Sequence, residues 1–159
     1  MRLTEAVDYQ VRAARITDID RLVALSDGLV GSRGEGTIAS ADLLRQLVYI
    51  PQASVLVAEG RHGVAGGLVL ALRPSVRSGG YVGTVDLLVV DEDQDVDRIT
   101  DLLLEEALRS AQKKGCTIVE AARPGAPDDI ARWERHGFTT AGPHIERSVA
   151  AVRTTGRAR

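Results

Sequence analysis

Between residues 85 and 122 the chain runs apolar strand, acidic turn, amphipathic helix and apolar strand, and this succession restricts the fold more than any other feature. Val85-Asp86-Leu87-Leu88-Val89-Val90 is a branched apolar run broken once by a carboxylate. Residues 96–114 then carry Val96, Ile99, Leu102, Leu103, Ala107 and Ala111 on one helical stripe, and Gly115 behind Lys113 and Lys114 gives a stop. Residues 116–122 form a second apolar strand. Two strands joined through a helix lie parallel, with a right-handed crossover. Upstream, residues 54–59 and 64–72 are separated only by Gly60-Arg61-His62-Gly63, a turn too short for anything but an antiparallel hairpin. One sheet must hold both kinds of pairing. The chain is therefore α/β, with a mixed, twisted sheet and helices on both faces.

The remaining segments extend this pattern. Residues 11–15 read as a first strand. Thr17 is placed to cap a helix presenting Ile19, Leu22, Val23 and Leu29. Gly31, Gly34 and Gly36 mark a loop, and Ser40 opens a second helix with Leu43, Leu44, Leu47 and Val48 inward, ending before Pro51. Residues 74–80 form a loop and residues 81–90 the strand entering the crossover. Pro127 starts a short helix that runs to His136, with Gly137 as its left-handed cap. Residues 138–141 and 144–152 read as a final hairpin. The predicted order is β-α-α-β-β-β-α-β-α-β-β: one domain over residues 1–152, then a disordered basic tail over 153–159.

Composition narrows the function. A net charge of −2 gives no global attraction for nucleic acid or anionic lipid. Cys116 is the only cysteine, which excludes an intrachain disulfide and fits a reducing compartment; at the start of an apolar strand it reads as a small core residue. The first residues show no signal-peptide pattern, and no apolar run is long enough to span a bilayer. The expectation is a cytoplasmic protein with neither nucleic-acid nor membrane partners. Three separated histidines show no metal-ligand spacing. The alternation of Asp91, Asp93, Asp95 and Asp97 suggests a calcium loop only superficially. Its sixth position is Val96, where Gly is needed, and its twelfth is Leu102, where Glu is needed.

Three further segments carry a resemblance. Val57-Ala58-Glu59-Gly60-Arg61-His62-Gly63-Val64-Ala65-Gly66-Gly67, Leu88-Val89-Val90-Asp91 and Trp133-Glu134-Arg135-His136-Gly137-Phe138 stand in order and at suitable separations. Over roughly residues 11–147 the chain resembles the GCN5-related N-acetyltransferase (GNAT) superfamily. The resemblance implies acetyl transfer from acetyl-CoA to an amine, on a small molecule or a protein, and a homodimer as a plausible assembly. It also implies that the fourth and fifth strands splay to admit the coenzyme, with the thioester carbonyl held by backbone at Leu88, Val89 and Val90. The pyrophosphate would sit at the start of the long helix, on residues aligned with Arg98, Ile99 and Thr100.

At that start the chain departs from the family. The family loop is Gly-rich; here Asp95-Val96-Asp97-Arg98-Ile99-Thr100 matches it nowhere, and the preceding residues are Asp91-Glu92-Asp93-Gln94. Backbone amides at a helix N-terminus hold phosphate because glycine lets the anion approach. A carboxylate about 6 Å from a pyrophosphate charge instead costs about 3 kcal/mol at an effective dielectric near 20. Weakened coenzyme affinity is expected, with Arg98 supplying one cation and Thr100 one hydroxyl. The same carboxylates also read as an ordinary helix start, Asp95 as N-cap and Asp97 in the first turn. Trp133 stands where the resemblance places a tyrosine acid; an indole N–H donates a hydrogen bond but gives up no proton at neutral pH. It reads equally as a packing residue. Asp86 is the candidate base, a carboxylate whose burial in an apolar strand would need a partner or a purpose. Glu59, Glu120 and His144 are weaker site candidates.

Overall fold

The computed structural model describes residues 8–26 and 40–142. Five strands form one sheet in chain order: β1 (Gln10–Ala13), β2 (Ala53–Gly60), β3 (Gly63–Ser75), β4 (Gly80–Val90) and β5 (Cys116–Ala121). The first four pair antiparallel and β5 pairs parallel to β4, as the hairpin and the crossover require. Helices α1 (Ile19–Leu25) and α2 (Ser40–Leu47) cover one face. The other is covered by α3 (Val96–Lys113), with α4 (Pro127–Arg135) beside it.

Each face has its own core. On the α3 side, Leu56, Ala58, Ala65, Leu68, Leu70 and Val85 of the sheet meet Ile99, Leu103, Leu104, Ala107 and Ala111 of α3. On the other side, Val55, Val57, Val64, Val69 and Val89 meet Ile19, Leu22 and Leu44. The α3 stripe is shifted from the predicted one by a single position, since Leu104 is buried and Leu102 only partly so.

The sheet helices differ from the sequence reading in instructive places. Thr17 is not the cap of α1. A short 3-10 turn, Ile16–Asp18, precedes the helix, and the buried Asp18 carboxylate accepts the Arg15 amide at 2.7 Å. The same carboxylate receives both Arg12 guanidinium nitrogens, at 2.7 and 3.0 Å, while Arg12 Nε donates to Glu59 at 2.9 Å. This ties β1, the entry to α1 and the end of β2 together. The Arg12 hydrogen bond, reinforced by the Arg15 amide, outweighs burial and holds the Asp18 carboxyl below its ordinary pKa. In α2, Leu43 is exposed and only Leu44 is fully buried, because an eight-residue helix lying on a sheet turns too narrow a face inward. Strand β3 runs on to Ser75, through residues expected to be loop. Strand β5, apolar as its sequence is, is the last strand among the described residues, and Thr117, Ile118 and Glu120 are exposed. Residues 138–141 are not a strand. The Gly31 loop, Leu29, the second arm of the final hairpin with His144, and the tail lie outside the described residues.

Two outcomes follow from this packing. A Cβ at Gly66 would lie 2.9 Å from both the Val89 carbonyl oxygen and Ile99 Cγ2, and neither has room to move inside the core. Gly66→Ala is expected to cost about 1–3 kcal/mol, seen as a lower urea midpoint at constant m. Asp18 has a depressed folded pKa, so its contribution is complete above the unfolded carboxylate value of about 3.9 and is lost as pH falls through the lower folded value. Asp18→Asn should therefore destabilise by about 2 kcal/mol at pH 7. The gap to the native protein, followed by chemical denaturation, should close as the pH is taken toward 2.

Candidate active site

The site begins with a slip in strand register. Along β3 and β4, Val69 faces Leu87 and the next residue of β3, Leu70, faces Val85, so Asp86 is left as the extra residue of a β-bulge. The bulge changes the phase of β4. Val85 packs on the α3 side, but after the extra residue it is Leu88 and Val90 that do so, while Leu87 and Val89 turn to the other core. Bulges bend a strand and increase its twist. Here the bend coincides with the end of the parallel ladder, because β4 pairs with β5 from Tyr81 to Val85 and the last partners are Val85 and Ala121. From Leu87 to Val90, β4 keeps its β3 partners and has none in β5.

Past Val85 and Ala121 the two parallel strands no longer pair, which leaves a gap in the ladder at their carboxyl ends, where ligands of open α/β sheets commonly bind. Leu88 and Val90 of β4, Val119 and Ala121 of β5 and Trp133 of α4 gather partly buried against the α3-side core next to it. Asp86 is exposed at the point of separation. It therefore bears no burial penalty, contrary to the reason for singling it out in the sequence, and its place at the fork is what marks it.

The connection from β4 to α3 is a closed hydrogen-bond network. The Asp91 amide donates to the Ala65 carbonyl at 2.8 Å, fastening the loop to β3. The Asp91 carboxylate accepts the Gln94 side-chain amide at 2.9 Å, the Asp93 backbone amide at 3.1 Å and Arg21 at 3.2 Å. Tyr9 donates to Gln94 at 3.1 Å. The Gln94 amide, then that of Asp93, with help from Arg21, draws the Asp91 carboxyl below its ordinary pKa. Asp95 is the N-cap of α3: its carboxylate accepts the Arg98 amide at 3.1 Å and its carbonyl accepts the Ile99 amide at 3.0 Å.

Hence the residues aligned with the family's pyrophosphate motif are already engaged. The Ile99 side chain is fully buried and Thr100 is 4% exposed, so the hydroxyl expected of Thr100 faces the core and is corrected here. Only the Arg98 side chain is exposed. Beside it, an open groove of about 680 Å³ is lined by Tyr9, Arg21, Arg61, His62, Asp93 and Arg98, among others. The sequence reading left His62 and Tyr9 out of the site; the fold brings them to it, His62 on the turn between β2 and β3 and Tyr9 just ahead of β1.

The first turns of α3 are also bound to α4. Arg132 pairs with Asp97 and with Asp129. Arg135 reaches Asp101 at 3.0 Å, and His136 Nε2 lies 2.8 Å from the same carboxylate oxygen. Burial raises the Asp101 pKa, but the His136 and Arg135 hydrogen bonds prevail and leave it below the ordinary value. The His136 ring thus joins two helices. Trp133 packs against the core and stacks edge-on with Phe138, the ring centroids 4.9 Å apart. Glu59 is paired with Arg12, and Glu120 accepts Thr84 at 3.2 Å. Cys116 is half-buried, and burial raises its thiol pKa, the opposite of an activated nucleophile. Among the described residues no cluster of His, Cys, Asp or Glu is arranged to hold a metal ion, and no helix is long and apolar enough to cross a membrane.

With this geometry, similar solved structures are numerous. A transcriptional regulator from Bacillus halodurans C-125 superposes with a TM-score of 0.73 at 17% identity, over 89% of this chain and 99% of that one. Glucosamine-6-phosphate N-acetyltransferase from Arabidopsis thaliana gives 0.70 at 15% identity, over 89% and 99%. The ribosomal-protein-alanine N-acetyltransferase from Brucella melitensis biovar Abortus 2308 gives 0.64 at 18%, over 90% and 99%. The chain has the GNAT fold. No family model matches its sequence, and no curated protein sequence matches it. The likeness therefore lies in the backbone fold.

The GNAT loop network gives a direct test. Asp91→Ala removes acceptors from Asp93, Gln94 and Arg21 together. Amide exchange at Asp93 should accelerate roughly fivefold, the factor for a hydrogen bond worth about 1 kcal/mol, while exchange in the middle of α3 stays unchanged.

Proposed function

We propose that this protein is an N-acyltransferase that moves an acetyl or related acyl group from a pantetheine thioester to an amine. The observation that carries the reading is the parting of β4 from β5 at Asp86, which leaves a strand edge and an apolar-lined gap of the kind a thioester arm enters. Backbone N–H groups of Leu88 and Val90 would polarise the thioester carbonyl, a contribution typical of oxyanion stabilisation; that of Val89 alternates toward β3, as the Asp91 amide does toward Ala65. Asp86 would accept the proton of the attacking ammonium, directly or through water. The leaving thiolate is weakly basic enough to be protonated by water, so Trp133, engaged in packing, needs no acid role. The acceptor amine, on a small molecule or a protein, the cytoplasmic setting and a homodimer belong to the same reading.

Acetyl-CoA itself fits this chain only in part. Its pantetheine arm suits the gap. Its diphosphate does not suit α3, where Asp95 takes the Arg98 amide and where the approach carries Glu92, Asp93 and Asp95 exposed. That disagreement favours a second reading, a GNAT-fold binding or regulatory module without acyl transfer, in which the capped α3 and its ties to α4 are purely structural.

Turnover separates the two. The first reading expects thiol release from an acyl thioester in the presence of an amine panel. It also expects Asp86→Asn to lower kcat by about 100-fold or more with little change in the KM of the thioester. No binding of any acyl thioester would leave only the second.

A further inference from the structure

We infer that the acyl donor is selected chiefly by its uncharged pantetheine arm and not by phosphate, so that acyl-CoA binds no more than about tenfold tighter than S-acylpantetheine. This rests on the acyl-transfer reading above and specifies the donor class for that site.

The argument starts from where a ligand leaves the gap. Strands β4 and β5 are parallel, so the gap opens at the end where β4 passes into α3 and β5 passes toward α4. Whatever a donor carries beyond its thioester arm emerges between the first turns of α3 and the helix α4. Two independent features make that exit hostile to a polyanion. The first is the start of α3. An open helix N-terminus attracts anions through free amides and its dipole, but here the Asp95 side chain and carbonyl hold the Arg98 and Ile99 amides, and Glu92, Asp93 and Asp95 add exposed negative charge. The second is the bridge to α4. The cations that might have met a phosphate on this side, Arg132 and Arg135, are engaged by Asp97, Asp129 and Asp101. His136 lies against Asp101 as well. Arg98 is exposed, and Arg21 and Arg61 line the same groove, but they share it with Asp91, Asp93 and Asp95, and Asp91 holds Arg21.

The gap itself is built for an uncharged chain. Its neighbours Leu88, Val90, Val119, Ala121 and Trp133 are apolar and partly buried, so binding there draws on apolar area and on the unpaired edge of β4, not on charge. A pantetheine arm supplies both apolar length and amides for a strand edge.

The experiment is calorimetry on the full chain with acetyl-CoA and with S-acetylpantetheine, at low and moderate salt. The expected result is that both bind and that acetyl-CoA is no more than about tenfold tighter, since a single charge-assisted contact to phosphate already contributes about that factor. Its affinity should hold or improve as salt screens the carboxylates. Asp95→Asn keeps a capping side chain; it should tighten acetyl-CoA by about threefold or more and leave S-acetylpantetheine unchanged. Acetyl-CoA binding more than about tenfold tighter, and losing that advantage in Arg98→Ala, would overturn the inference while leaving acyl transfer intact, because phosphate would then be recognised through a side chain. Binding of neither thioester would remove the acyl-transfer reading, and this inference with it.

Discussion

The parallel ladder between β4 and β5 stops at Val85 and Ala121, beside the one residue that β4 inserts against β3. Much of the molecule is organised around that slip. It lets β4 serve two cores in succession, since Val85 and then Leu88 and Val90 face α3 although an odd number of positions separates the two groups. It bends the strand away from β5 without breaking its bond to β3, so the gap is framed on one side by a well-held strand. A straight β4 would carry a continuous ladder to Val90 and leave no space at the carboxyl ends. The fold spends one carboxylate-bearing residue at the fork, and Asp86 is exposed there with no cross-strand neighbour.

The acidic run is explained by the same architecture. A helix that follows a diverging strand needs a firmly held start, because its first turn has lost a neighbouring strand to lean on. Asp91 folds the connection back on itself and onto Ala65 of β3, Asp95 caps the helix, and Asp97 and Asp101 bind α4 across the exit. Four carboxylates thus act at close range as hydrogen-bond acceptors. In most proteins such exposed pairs contribute little singly. Here several share partners across three elements, and what they secure is position more than stability. An N-terminus stabilised by its own side chain is a poorer anion site than one left open.

Several features were legible in the residues. The apolar run, the amphipathic stripe and Gly115 predict the crossover, and Gly60-Arg61-His62-Gly63 predicts the hairpin, so the mixed sheet and the faces of its helices follow. Asp95 as cap is visible because a short carboxylate ahead of an apolar periodicity has few other uses. Other features were not. Thr17 looked like the cap of α1, but the choice between it and Asp18 depends on Arg12, which lies on a strand edge whose neighbour Glu59 comes from another part of the chain. Leu43 and Leu44 are equivalent in pattern, and only the sheet decides which is covered. The His136 ring finds its partner outside its own helix, where Asp101 reaches it from α3.

What the sequence by itself determined is local chemistry and connectivity: which stretches prefer strand or helix, which links must be antiparallel or parallel, and that α3 begins with carboxylates in place of glycines. These depend on neighbours within a few positions, and periodicity records them directly. The tertiary structure alone decided where β4 and β5 separate, that Asp86 stands exposed at the fork, that Thr100 turns inward, and that α4 is tied to the first turns of α3. Each is a matter of register or of contact between segments far apart in the chain. A one-residue slip in pairing leaves no trace in composition or period, because it exists only when the partner strand is present.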